Sequence, residues 1–103
     1  VNMSLLSFFT GPDFRKLYAE GAIIIDVRSV HEYDNGRIPD SFNISQERLP
    51  TSLERIKHYK KPVIICGTDS SRINNAIRYL KNNGVKNVYN GGHWEKLLQK
   101  IRG

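Results

Sequence analysis

Cysteine is almost missing from this chain of 103 residues: there is one, Cys66. A single thiol excludes an internal disulfide, a structural zinc site built on two or more cysteines, and any mechanism with an internal resolving thiol. If Cys66 reacts, its partner thiol comes from another molecule. Long apolar runs are missing too; the longest span a few residues, far short of the ~20 that cross a bilayer. No membrane partner is expected. The apolar start, with Leu5, Leu6, Phe8 and Phe9, has neither the basic region nor the small-residue cleavage site of a signal peptide. It reads as part of the fold, and a cytoplasmic location is the expectation. There is no repeat, linker or low-complexity tract, so residues 1–103 are read as one domain.

Acidic residues are scarce in one half only. Residues 1–54 carry 5 basic and 8 acidic side chains, a balance of −3; residues 55–103 carry 11 basic and 2 acidic, a balance of +9. An anion site belongs in the second half. A basic face also attracts phosphates non-specifically, but lysines spread along helices read first as a solvated surface, and nucleic acid is not expected as a partner.

What is present alternates between strand and helix patterns. Thr10-Gly11-Pro12-Asp13 starts a helix with Phe14, Leu17 and Tyr18 on one face, stopped by Gly21. Ala22 to Val27 is a β-branched run without polar alternation, which suits a strand covered on both faces. A short helix over Ser29 to Asn35, a brief strand over Phe42 to Ile44 and a helix over Thr51 to Tyr59 follow. Pro62 to Ile65 is the second buried strand. Arg72 then opens a helix with Ile73, Ala76, Ile77 and Leu80 inward, ended by Gly84. Val85 to Tyr89 reads as a strand, Asn90-Gly91-Gly92 as a turn, and His93 to Ile101 as a closing helix. This order predicts an α/β fold with a mostly parallel sheet.

In such sheets ligands sit at the carboxyl ends of the strands, where loops meet helix N-termini. Cys66 holds that position, followed by Gly67, Thr68, Asp69, Ser70 and Ser71, whose backbone N–H groups can cradle an oxyanion or a thiolate. A cysteine so placed has a lowered pKa and is a nucleophile at neutral pH. Arg72 can clamp a sulfate-like or phosphate-like group. The competing reading is a buried cysteine that caps an apolar strand, and the residues leave both open.

Several segments carry a family resemblance. Ile25-Asp26-Val27-Arg28 with Glu32-Tyr33, and Gly36-Arg37-Ile38-Pro39-Asp40-Ser41 with Asn43-Ile44, resemble the first signature of rhodanese domains. Pro62 to Cys66, Arg72, Tyr79 to Lys81, Gly84 and Asn87 to Gly92 resemble its second half, in order. The resemblance implies a rhodanese-like α/β domain with a mostly parallel sheet of about five strands flanked by helices. It implies a sulfurtransferase in which Cys66 takes sulfane sulfur from a donor such as thiosulfate, holds it as a persulfide and passes it to an external thiol or cyanide. A protein donor or acceptor is also compatible with it; no cofactor and no metal are implied. Asp26, Arg28 and Glu32 would be structural near the site, with Arg28 and Glu32 as a local ion pair.

The loop departs from the pattern. The common short-domain loop, Cys-Arg-x-Gly-x-Arg, has six residues, whereas Cys66 to Arg72 has seven. Gly67 replaces the basic residue, and Asp69 cancels the charge of Arg72. Seven residues also resemble the Cys-x5-Arg loop of cell-cycle-type dual-specificity phosphatases and arsenate reductases on this fold, where thiolate attacks a tetrahedral oxyanion. A third reading is a binding module that has kept the fold and lost the chemistry. His31, His58 and His93 lack metal-ligand spacing, Trp94 reads as core, and the Lys57-His58-Tyr59-Lys60-Lys61 cluster reads as a solvated helix end rather than a contact for RNA or an acidic partner.

Overall fold

The computed structural model describes residues 11–103. The expected contribution of the apolar start, and Thr10 of the first helix signal, lie outside the described residues. The elements run α1 (Phe14–Ala19), β1 (Ile23–Asp26), α2 (Val30–Asp34), β2 (Phe42–Asn43), a 3-10 turn (Gln46–Arg48), α3 (Leu49–Tyr59), β3 (Val63–Gly67), α4 (Ser70–Asn82), β4 (Val88–His93) and α5 (Trp94–Arg102).

The strands form one parallel sheet in the order β2-β1-β3-β4. Among the described residues there are four strands, one fewer than the resemblance implies. All residues of β1 and β3 are buried, because helices cover both faces. Alternation then sorts their side chains. Ile23, Ile25, Val63 and Ile65 pack with Ile56 of α3 and Ile73, Ala76 and Leu80 of α4. Ile24, Ile64 and Cys66 pack with Phe14 of α1 and Leu97 of α5.

Several boundaries differ from the sequence reading: β3 runs on through Cys66 and Gly67, β4 starts at Val88 rather than Val85, and three further differences have a local reason. The 3-10 turn runs directly into α3, and Pro50, whose fixed φ suits a first turn, lets that helix start at Leu49 rather than Thr51. Asp69 caps α4, accepting from the N–H groups of Ser71 (2.9 Å) and Arg72 (3.2 Å), so the helix starts at Ser70, two residues before Arg72. Asn90-Gly91-Gly92 is strand rather than turn: β4 carries a bulge opposite Ile65 and Cys66. A Cβ at Gly91 would lie 2.7 Å from Ile64 Cγ2 and 2.8 Å from Leu97 Cδ2, and Gly92 has φ +72. Glycines are therefore required where the bulged strand presses on the core.

Candidate functional site

The carboxyl ends of β1 and β3 lie side by side at the point where the strand order reverses, the place where open α/β sheets bind ligands. Asp26 and Arg28 build its floor. Arg28 Nε donates to both carboxylate oxygens of Asp26 at 3.0 Å, Nη2 donates to Oδ2 at 2.8 Å, and the Arg28 backbone N–H donates to Oδ1 at 2.9 Å. Both residues are buried. The remaining guanidinium hydrogens reach the carbonyls of Gly36 (2.7 Å) and Glu32 (3.3 Å), and the group stacks 4.4 Å from the Trp94 ring centroid. Trp94, read from sequence as core, is half-buried and packs against the Cys66 and Leu97 cluster, with Arg28 lying on its ring.

The expected Arg28–Glu32 ion pair is corrected by this geometry. Arg28 spends its fork on Asp26, and the Glu32 carboxylate turns to the other end of its helix, accepting from the Ser29 hydroxyl (2.9 Å) and backbone N–H (3.2 Å) in a reciprocal cap. Those hydrogen bonds hold the Glu32 carboxyl below its usual range, with Arg28 and Arg72 adding at longer reach. The sequence motif for a capping box, Ser29 followed by Glu32, was the available signal.

Cys66 lies inside β3, paired with Asp26 on one side and Gly92 on the other. Its exposure is 0%, and its side chain belongs to the apolar cluster of Phe14, Ile24, Ile64 and Leu97. Arg72 is on α4, beyond the opposite sheet face. The position whose side chain would face Arg72's helix is Gly67: a Cβ built there meets Val27 Cγ2 at 3.3 Å, Ile73 Cγ1 at 3.6 Å and Arg28 Cγ at 3.7 Å. Counted back from Arg72, a six-residue loop also begins at Gly67. Loop length and strand alternation therefore agree that Gly67, not Cys66, stands where the family's Cys-Arg-x-Gly-x-Arg loop starts.

The loop is no open cradle. Gly67 ends the strand, Thr68 and Asp69 alone lie between strand and helix, and Ser70 and Ser71 are already helical. The Asp69 carboxylate occupies two of the helix N-terminal donors that an anion would use. Its other oxygen is 3.9 Å from Arg72 Nε. The depression bounded by Val27, Arg28, Glu32, Thr68, Asp69 and Arg72 holds about 10 Å³, at most one water. The structure thus brings Arg28, Glu32, Thr68, Asp69 and Arg72 to one spot and leaves Cys66 out of it.

Burial drives the Cys66 thiol far above its ordinary range; the neighbouring Asp26 carboxylate pushes the same way and Arg28 only partly opposes. This is the reverse of the lowered pKa expected from the sequence. A consequence for stability follows. The unfolded chain loses the thiol proton near its ordinary ~8.5, while the folded chain keeps it, so stability is complete below that pH and falls above it by up to about 1.4 kcal/mol per unit. Urea unfolding from pH 7 to 10 is expected to show this slope in the wild type and to lack this component in Cys66→Ala.

A parallel α/β domain with an arginine loop at the switch point and an Asp-x-Arg floor defines a class, and the comparisons agree with it. The chain belongs to the rhodanese-like domain family, whose sequence profile matches residues 10–98. Its fold is similar to that of a single-domain sulfurtransferase of Saccharomyces cerevisiae (TM-score 0.61, 22% identity, covering 84% of this chain and 83% of that one). It is similar also to a rhodanese-related protein from Thermoplasma volcanium (TM-score 0.67, 19% identity, covering 87% and 91%). In sequence it is 31% identical over 99 residues to a tRNA uridine(34) hydroxylase of Buchnera aphidicola, covering 82% of this chain and 32% of that protein. The corresponding protein of Sodalis glossinidius is 32% identical over 73 residues, covering 66% and 21%. The chain thus spans a third or less of these curated relatives. Among the described residues, no helix is long and apolar enough to cross a membrane.

Proposed function

We propose that this chain is a rhodanese-like module that does not carry sulfur on Cys66, a domain that has kept the scaffold of the family's site without a nucleophile in it. The observation that carries this reading is the pair Cys66 and Gly67. The one thiol is turned into the core against α1 and α5, and the residue turned toward Arg28 and Arg72 has no side chain. Persulfide transfer from thiosulfate needs a thiolate that the donor can reach; phosphatase and arsenate reductase chemistry need the same group. Both fail at a thiol that is buried and held protonated. Asp69 on the helix N-terminus argues in the same direction, because it replaces an anionic substrate with a resident carboxylate.

The test is intact-mass measurement after incubation with thiosulfate and, separately, with a small-molecule persulfide donor. No species heavier by one sulfur, ~32 Da, is expected. A thiol-reversible gain of that mass, abolished in Cys66→Ser, would restore the sulfurtransferase reading.

A further inference from the structure

Two cavities share the residue Ile56 of α3, one beside the segments that lead into β3 and β4, the other beside β1 and β2. One, of about 380 Å³, is lined by Lys57, Lys60, Lys61 and Lys86 around Gly84 and Val85. The other, of about 150 Å³, is apolar, and Phe42 and Tyr59 wall it beside Arg55. Both aromatic rings are exposed, Phe42 by 46% and Tyr59 by 50%, and they meet edge to face at 6.4 Å. No acidic residue lines either cavity; the nearest carboxylate interaction is Glu54, 4.0 Å from Lys57 Nζ on the exposed side.

The sequence reading of Lys57 to Lys61 as a solvated helix end omits what the fold adds. Lys60 adopts a left-handed conformation (φ +53) that ends α3 and turns the chain, and Lys86 arrives from the segment before β4. Gly84 allows Lys57 to lie close: a Cβ there would sit 3.4 Å from Lys57 Cε. Four lysines thus line one cleft, a step away from exposed aromatic residues, with the Lys57 ammonium beside Gly84 and the Lys61 ammonium beside Gly21. Lysines that track a phosphate backbone, next to aromatics on which bases stack, are the two elements of single-stranded nucleic-acid recognition.

From this juxtaposition we infer that the Lys57/Lys60/Lys61/Lys86 cleft and the Phe42/Tyr59 face bind single-stranded RNA, with phosphates in the cleft and a base against Tyr59. The inference is independent of the absence of thiol chemistry at Cys66. An acidic protein segment would use the lysines and have no need of the exposed rings, which favours RNA.

The experiment is fluorescence anisotropy with a labelled 12-nucleotide RNA of mixed sequence, titrated at several salt concentrations. Four phosphate contacts to a single strand predict a log–log salt slope of about −3. Lys60→Glu/Lys86→Glu is expected to weaken binding at least tenfold. Tyr59→Ala is expected to weaken it by roughly 5- to 100-fold, in the range of one lost base stack, with Tyr59→Phe close to wild type. Lys96→Glu/Lys100→Glu on α5, with the same change in net charge, should stay within about twofold of wild type. Three results would overturn the inference: no RNA binding at low salt, equal losses in the two charge-reversal variants, or loss-free binding in Tyr59→Ala with poly-glutamate of equal charge bound as tightly as RNA. Thermal melts of each variant confirm that the fold is retained, and Tyr59→Leu, which keeps the bulk and removes the aromatic face, carries the stacking test with the same expected loss if Tyr59→Ala does not fold.

Discussion

Arg28→Ala is expected to lower the unfolding free energy by about 3–5 kcal/mol, the usual loss when one partner of a buried ion pair is removed. For a domain of this size that is a large share of its total stability, and urea unfolding at pH 7 measures it. The magnitude follows from what the substitution strands. Asp26 has no exposure and directs both oxygens at Arg28; without the guanidinium its charge stays buried with one backbone donor. The carbonyls of Gly36 and Glu32 lose their donor in the same step, and Trp94 loses the face it covers. Arg28→Lys should recover only part of the loss. An ammonium is a point charge and cannot bond both oxygens, reach the Gly36 carbonyl and lie flat on an indole at once. The pair thus anchors the carboxyl end of β1 and the α2 segment, and Asn43 ties the same strand end to β2 by donating to the carbonyls of Asp26 (3.1 Å) and Arg28 (2.8 Å).

The second large effect is a gain. In a Cys66→Ala background, Gly67→Cys is expected to react with iodoacetamide at least 100-fold faster than Cys66 does in the wild type. Reaching position 66 requires β3 to separate from α1 and α5, an opening close to global unfolding, which for stabilities of 5 kcal/mol or more suppresses reaction by over ~10³. A side chain at position 67 meets Val27 and Arg28, which line the shallow surface depression beside Arg72, whose own side chain is 57% exposed, so no helix has to leave the sheet for a reagent to reach it. The substitution fits: Gly67 lies outside the left-handed region, and its three nearest atoms are 3.3 Å or more from the new Cβ, so the Val27 methyl gives by a few tenths of an ångström. Arg28 and Arg72 favour the thiolate there and Asp69 opposes it. Alkylation rates of the two proteins, followed by mass spectrometry, check the ratio.

Most of the fold is legible in the sequence because its signals are local. The unbroken β-branched runs of β1 and β3, the 3-4-7 spacing of Ile73, Ala76, Ile77 and Leu80, and the glycine stops each specify one element. The elements that resist reading depend on tertiary contacts. Gly91 and Gly92 carry turn chemistry, and only the packing of Gly91 against Ile64 and Leu97 shows that they belong to a strand. The site follows the same division. Asp26 and Arg28 are legible as a structural pair, while the Arg28–Glu32 pairing is not, because Asp26 and Ser29 outcompete it. The direction of Cys66 is hidden for a particular reason: Val63, Ile64, Ile65 and Cys66 are all apolar, so no polar alternation marks which face each side chain takes. Loop length held the one clue, since seven residues from Cys66 to Arg72 become the expected six when counted from Gly67.

Cys66 belongs to the core, and the pocket beside Arg72 has no thiol. This placement is tested most directly by the reaction of the wild-type chain with a disulfide reagent such as dithionitrobenzoate at pH 8, across a urea series. The structure predicts a thiol that stays unreacted in buffer and reacts at a rate that rises in step with the unfolded fraction. Complete reaction within seconds in buffer, independent of urea below the unfolding transition, would contradict it and make Cys66 an accessible nucleophile.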